Sequence, residues 1–257
     1  MLMLFDTHAH YNDKQFDPDR EELLSSMREN GVGFIVNAGC SIESTKKGIE
    51  LSEKYDFIYA AAGIHPNYGN DMTEQGFNEI KELAKHPKVK AIGEIGLDYY
   101  WDKVEKKLQQ EAFARQIHIA RELNLPIVIH TRDACKDTLD LLKSEYKGTG
   151  ALLHCFSESK ETAKIVLDMG LKIAIGGTVT FKNNVRTVEA VKYIPLEDLV
   201  LETDAPYLSP VPNRGKRNSS LNIHYTAEKI AEIKGVSPEL VEEITTLNAM
   251  KFYRIEG

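Results

Sequence analysis

The chain has 257 residues, of which 42% are hydrophobic and 28% charged, with a formal net charge of -7. These proportions exclude a disordered or fibrous class, and no apolar run approaches the roughly 20 residues needed to cross a bilayer. The negative balance argues against a broad basic surface for gripping duplex nucleic acid, which rests on neutralising phosphates, yet leaves room for a local cationic site. The length is close to the roughly 250 residues of one closed eight-stranded α/β barrel, so a single domain over 1–257 is expected. The opening segment has no basic stretch followed by a long apolar core, which predicts a cytoplasmic protein. Cys40, Cys135 and Cys155 form no CxxC pair and are too few for a disulfide framework, so buried thiols are expected.

Eight short apolar or β-rich runs follow one another: Leu2–Phe5, Phe34–Ala38, Ile58–Gly63, Val89–Ile95, Pro126–His130, Ala151–Phe156, Lys172–Gly176 and Leu199–Glu202. The segments between them carry helical spacing. Glu21–Glu29 puts Leu23, Leu24 and Met27 on one stripe before Gly31, and Gln109–Leu123 aligns Phe113, Ile117, Ala120 and Leu123. Thr162–Met169 stops at Gly170, a C-terminal glycine cap, and Pro238–Leu247 reads as a last helix beneath or beside the barrel. Strands apolar on both faces and separated by helices indicate a parallel sheet, and eight such units predict an α/β TIM-type (β/α)8 barrel. An open doubly wound sheet would carry a Gly-rich nucleotide loop after its first strand, and none is present.

Ligand-type side chains recur where these runs end. Phe5-Asp6-Thr7-His8-Ala9-His10 places two histidines one residue apart, so on a strand they share a face and can converge on one ion. Glu94, His130, His154 and Asp204 follow at the ends of later runs, which in this barrel is the end that carries function. Imidazoles and carboxylates without thiolate suit Zn, Mn, Fe, Ni or Co and disfavour a structural zinc site, and the expected cations are Mg, Mn, Zn, Ni or Co. Six ligands exceed what one four-coordinate ion takes from protein. Two divalent cations per chain fit better, with His8, His10 and Asp204 around one, His130 and His154 around the other, and Glu94 bridging through its two oxygens.

Six stretches carry a family resemblance, and a seventh completes them: Asp6-Thr7-His8-Ala9-His10, Gly63-Ile64-His65-Pro66, Gly93-Glu94-Ile95-Gly96-Leu97-Asp98-Tyr99, Pro126-Ile127-Val128-Ile129-His130-Thr131-Arg132, His154-Cys155-Phe156-Ser157, Glu202-Thr203-Asp204-Ala205-Pro206-Tyr207-Leu208 and Arg214-Gly215-Lys216-Arg217-Asn218. Together they resemble the TatD family of metal-dependent deoxyribonucleases, within the amidohydrolase-type barrels, nearly end to end. The resemblance implies the same six metal ligands and two divalent cations. Ser219-Ser220 departs from it, since many relatives carry Glu-Pro there, and the change bears on loop shape.

The implied reaction is hydrolysis by water that the two cations acidify and orient. Asp204 is the expected general base, and His65 donates to a substrate phosphate or a leaving oxygen or else holds the turn before Pro66. Arg132, Lys182, Arg214, Lys216 and Arg217 follow strands five, seven and eight and either meet phosphate or pair with the chain's carboxylates. Tyr99, Tyr100 and Trp101 either stack on an unpaired base or pack internally, and Glu202 and Asp98 orient a ligand or anchor an arginine. The expected substrate is DNA with single-stranded or frayed ends, cleaved in a 3'-5' exonuclease-like manner, with no membrane and no obligate protein partner. The competing expectations are an amide, ester or lactone hydrolase, including an aminoacyl-tRNA deacylase, and a catalytically silent metal-binding protein.

Overall fold

The computed structural model describes residues 3–256, so Leu2 of the first expected run lies outside the described residues. The strands are β1 (Leu4–Ala9), β2 (Val32–Ala38), β3 (Ile58–Ala62), β4 (Val89–Asp98), β5 (Ile127–Arg132), β6 (Ala151–Leu153), β7 (Lys172–Ile175) and β8 (Leu199–Leu201). Helices α1 (Arg20–Ser25), α2 (Ile42–Lys54), α3 (Glu74–Leu83), α4 (Lys106–Leu123), α5 (Cys135–Glu145), α6 (Lys160–Asp168), α7 (Val185–Tyr193) and α8 (Ile223–Lys234) alternate with them, and α9 (Pro238–Tyr253) is the last helix among the described residues. The strands lie in one sheet in chain order, and β3 to β6 and β7 to β8 pair parallel. The fold is a TIM-type (β/α)8 barrel, as the alternation of apolar runs and helical stripes predicts.

The chain packs as two compact units. One is the chain up to Val36 with everything from His154, and the other is Asn37–Leu153. In the first unit, Phe5 of β1 is 1% exposed and stacks on Phe34 at 5.4 Å and on Tyr253 at 5.7 Å, a burial worth about 1.5–3 kcal/mol. Helix α9 runs six residues past the expected end because Tyr253 is drawn inward, donating its hydroxyl to the Thr7 carbonyl at 2.9 Å. Asn248 of α9 also donates to the Leu196 and Leu199 carbonyls, both at 2.8 Å. Ser237 caps α9 with Pro238 at its first position.

In the second unit, α4 buries Ala112, Phe113, Ile117 and Ala120, and α2 starts at a capping box in which Ser41 and Ser44 each accept the other's backbone N–H. The β4–β5 register matters most here. Ile92 pairs with Ile127 and Ile95 with Ile129, so β4 spends three steps against two and bulges at Gly93-Glu94. A bulge re-aims a side chain, here that of Glu94. Past it, Gly96 has φ 143°, and a Cβ there would sit 2.0 Å from the His130 carbonyl oxygen, so glycine alone fits this approach.

Boundaries moved where polar residues are satisfied inside. β1 runs on through Asp6, Thr7 and His8, all buried, because each finds a partner in the fold. β4 and β5 likewise extend to Asp98 and Arg132, while β6 and β8 stop at Leu153 and Leu201. The Glu21–Glu29 helix is α1 plus a tight turn at Arg28–Asn30 closed by left-handed Gly31, although Leu24 and Met27 are buried as expected. The three cysteines are partly exposed rather than buried.

Candidate metal centre

In the first unit, backbone bonds hold the end of β1 to the segment after β8. The Asp204 N–H donates to the His8 carbonyl at 2.9 Å, the His10 N–H to the Ala205 carbonyl at 2.7 Å, and Ala9 and Ala205 form a parallel bridge. Three donor atoms converge as a result. His8 Nε2 lies 3.2 Å from His10 Nε2, and Asp204 Oδ1 lies 3.2 Å from His10 Nε2 and 3.8 Å from His8 Nε2. Ligands about 2.0–2.1 Å from one tetrahedral ion stand roughly 3.3–3.4 Å apart, so this triangle fits a first-row divalent cation. Burial pushes the Asp204 carboxyl up, but the imidazoles of His10, His154 and His8 outweigh it and hold the group below the usual carboxylate range. An ionised oxygen donor is what a cation requires there.

Asp6 braces this triangle. It accepts from the Thr203 N–H at 3.0 Å, the Thr203 hydroxyl at 2.5 Å, the Ser220 hydroxyl at 2.5 Å and the His8 N–H at 3.3 Å. Burial pushes its carboxyl up from 3.8 to about 7 against those four donors. Ser220, one of the two residues that depart from the family pattern, therefore sits inside the support of the site, and Tyr11 closes the network by donating to it at 2.9 Å.

His154 follows β6 and stacks flat on His8, centroids 4.0 Å apart and planes at 13°. Glu202, fully buried, accepts the Cys155 N–H at 2.6 Å and brings its other oxygen to 3.5 Å from His154 Nδ1. Glu202 therefore lies behind the His154 ring, where a carboxylate backing a metal-bound imidazole would stand.

In the second unit, His130 is held from both sides. Its Nδ1 is 2.7 Å from Glu94 Oε1 and its Nε2 is 3.2 Å from Asp98 Oδ2. His65, three residues past β3, faces His130 with ring centroids 4.4 Å apart and places Nε2 3.6 Å from Glu94 Oε1. Its Nδ1 accepts the Asn67 N–H at 3.1 Å, so in the neutral ring the proton sits on Nε2, the side that faces Glu94. The same hydrogen bond holds the turn that His65-Pro66 opens.

Two glutamines that spacing alone does not mark as functional position these groups. Gln116 of α4 bonds the Ile64 N–H and carbonyl at 2.7 and 3.0 Å, next to His65, and Gln109 does the same for Asp98 at 2.8 and 3.0 Å. Their signal was two glutamines seven apart on the apolar stripe of an amphipathic helix.

Asp98 is the more informative residue to change. Burial pushes its carboxyl up, but the His130 hydrogen bond and charge and the Trp101 and Tyr100 N–H groups pull harder and hold it at about 2, against 3.8 unperturbed. Because the folded value lies below the unfolded one, the stabilisation is complete above pH 3.8 and is lost as the pH falls towards 2. Asp98→Asn is expected to weaken divalent-metal affinity about 10- to 100-fold by calorimetry. Urea midpoints of the two proteins should differ by a constant amount above pH 3.8 and converge below it; unchanged affinity, or midpoints that diverge on acidification, would contradict this role.

The remaining sequence candidates differ in availability. Arg132, Lys182, Arg214 and Lys216 are exposed, with the Arg214 guanidinium 4.4 Å over the Phe181 ring. Arg217 is engaged, forking onto Asp19 at 2.7 and 2.5 Å and donating to the Gln15 carbonyl at 2.7 Å, so a phosphate would have to displace Asp19. Tyr99 is engaged too, its hydroxyl donating to Asp137 at 2.9 Å and accepting from Gln110 at 2.8 Å.

The family model for TatD related DNase matches residues 5–254. The uncharacterized metal-dependent hydrolase YabD of Bacillus subtilis (strain 168) is 48% identical over 254 residues, covering 98% of this chain and 100% of its own. A protein of Cronobacter sakazakii (strain ATCC BAA-894) named 3'-5' ssDNA/RNA exonuclease TatD is 32% identical over 256 residues, with 97% of each chain covered. Among solved structures, YJJV, a TatD homolog from Escherichia coli K12, superposes with a TM-score of 0.93 at 27% identity over 100% of both chains. With converging ligand atoms at the strand ends and relatives of this identity along the whole barrel, the chain belongs to the TatD-related DNase family of metal-dependent hydrolases.

Proposed function

We propose that the chain is a deoxyribonuclease that hydrolyses phosphodiester bonds from the 3' end of single-stranded or frayed DNA. Two divalent cations, drawn from Mg, Mn, Zn, Ni or Co, would be held by His8, His10, Glu94, His130, His154 and Asp204. The observation that carries this is the His8, His10 and Asp204 triangle, with donor atoms 3.2–3.8 Å apart, in a chain related to a named single-strand exonuclease. Glu94 would hold both cations through its two oxygens, as the family resemblance implies.

When bound, the cations would supply Lewis acidity towards a phosphoryl oxygen and acidify the attacking water. Asp204, held ionised at neutral pH, accepts that water's proton through the oxygen not facing His10. His65, with its hydrogen on Nε2, donates a hydrogen bond to the leaving oxygen, which takes its proton from solvent. Arg132, Lys182, Arg214 and Lys216 draw the phosphate backbone in, and Arg217 joins them only by releasing Asp19. The modest basic set in a chain of net charge -7 makes binding salt-sensitive. The proposed location is the cytoplasm; among the described residues no helix is long and apolar enough to cross a membrane.

One panel tests this. Metal-loaded protein is assayed on single-stranded DNA, duplex DNA, RNA, charged transfer RNA and simple esters, with Glu94→Ala as the control. Nucleotide release from single-stranded DNA, lost by roughly 10³-fold or more in Glu94→Ala, is the expected result. Preferential cleavage of an ester or amide would give the site to carbonyl chemistry, and metal-dependent turnover on none of them would overturn the assignment.

A further inference from the structure

The loop after β4 carries an exposed aromatic pair that the metal chemistry does not use. Tyr100 and Trp101 are 53% and 52% exposed, and their rings meet edge to face with centroids 5.0 Å apart. The Arg132 guanidinium lies 3.8 Å from the Tyr100 ring centroid and 5.5 Å from that of Trp101, and the Lys103 ammonium lies 5.6 Å from the Trp101 centroid. Two half-exposed rings with cations laid on them form a surface of aromatic face and positive charge side by side. That combination matches an unpaired nucleobase next to its own phosphate, because every base has a stacking face and a guanidinium both stacks and pairs with phosphate.

The same loop is tied to the site by one carboxylate. Asp98 Oδ1 accepts the Tyr100 and Trp101 N–H groups at 3.0 and 3.2 Å, while its Oδ2 touches His130 Nε2 at 3.2 Å. Across the β4–β5 ladder Asp98 pairs with Arg132, and the Tyr99 N–H donates to the Arg132 carbonyl at 2.9 Å. The backbone of the aromatic loop, the Arg132 backbone and His130 are thus tied together through Asp98 and the β4–β5 ladder. Tyr99, by contrast, is tied down through its hydroxyl and lies under the Lys106 ammonium at 4.3 Å.

We propose that Trp101 and Tyr100, with Arg132, form a base-stacking platform that holds one unpaired base of a single-stranded DNA whose phosphodiester lies at the metal centre. The proposal rests on the phosphodiesterase function above and adds to it a reason for single-strand preference: a base inside a duplex has no free face to offer.

Trp101 is the single tryptophan of the chain, so its emission reports on this spot alone. With the full chain in chelator, to prevent turnover, an oligothymidylate is expected to quench that emission, and an abasic strand of equal length to leave it nearly unchanged. Equal quenching by both strands, or none by either, would overturn the platform. In the metal-loaded enzyme, Trp101→Ala should raise KM for a single-stranded oligonucleotide about 5- to 150-fold and leave hydrolysis of a minimal aryl phosphodiester unchanged, with Trp101→Phe restoring most of the loss. A surface ring of this exposure can be removed without endangering the fold. Equal losses on both substrates would also overturn it. Base-dependent quenching in a protein that hydrolyses no phosphodiester would support the platform and overturn the nuclease instead.

Discussion

Asp204→Asn is expected to lower turnover about 10³-fold, a rise of about 4 kcal/mol in the barrier, with the fold intact. Asp204 has φ 55°, in the left-handed region that aspartate and asparagine both tolerate, so the backbone loses nothing. The amide keeps an oxygen near His10 but has no charge to offer a cation and no basicity to take a proton from water. Two readouts separate these losses. Metal content near the wild-type level with turnover collapsed assigns proton acceptance to Asp204, and both falling together assigns ligation. Full turnover with full metal content would remove Asp204 from either role.

Asp6→Ala carries the largest expected effect on stability, about 3 kcal/mol at pH 5 by urea unfolding. It strips the acceptor from two backbone N–H groups and two hydroxyls in a site with 0% exposure. The hydroxyls can turn elsewhere, but the N–H groups of His8 and Thr203 cannot. The pH dependence has a definite sign. The Asp6 carboxyl is raised from 3.8 to about 7, so the folded state keeps a proton that the unfolded chain releases, and wild-type stability declines as pH rises between those values. The gap between wild type and Asp6→Ala should therefore narrow from pH 4 to pH 7 and level off above. A gap that widens over that range would show that the carboxylate is stabilised on burial. Because Thr203 adjoins Asp204, the variant should also bind metal more weakly.

Much of the architecture was readable because its signal is local. Apolar runs of strand length separated by amphipathic stripes gave the barrel, and the histidines and carboxylates at the ends of those runs gave His8, His10 and Asp204 as neighbours. The strand ends depart from the apolar runs for a non-local reason. Asp6 looks like the start of a loop until its partners Thr203 and Ser220, 197 and 214 residues away, come into contact with it. Gln109 and Gln116 look like ordinary helix residues until the backbone of Asp98 and Ile64 arrives. The bulge at Gly93-Glu94 breaks the alternation from which a side chain's direction is read. Among the loop residues, exposure separates Trp101 from Tyr99 and engagement separates Arg217 from Arg132, and neither property is written in spacing.

The proposed chemistry depends on paired divalent ions that activate solvent. Elemental analysis of the protein before and after exhaustive chelation, with cleavage of single-stranded DNA followed on the same samples, tests it most directly. About two ions per chain are expected, with cleavage lost on chelation and restored by adding metal back, and a lower ion count in Glu94→Ala. One ion per chain with a count indifferent to Glu94→Ala, or cleavage undiminished in metal-free protein, would contradict it.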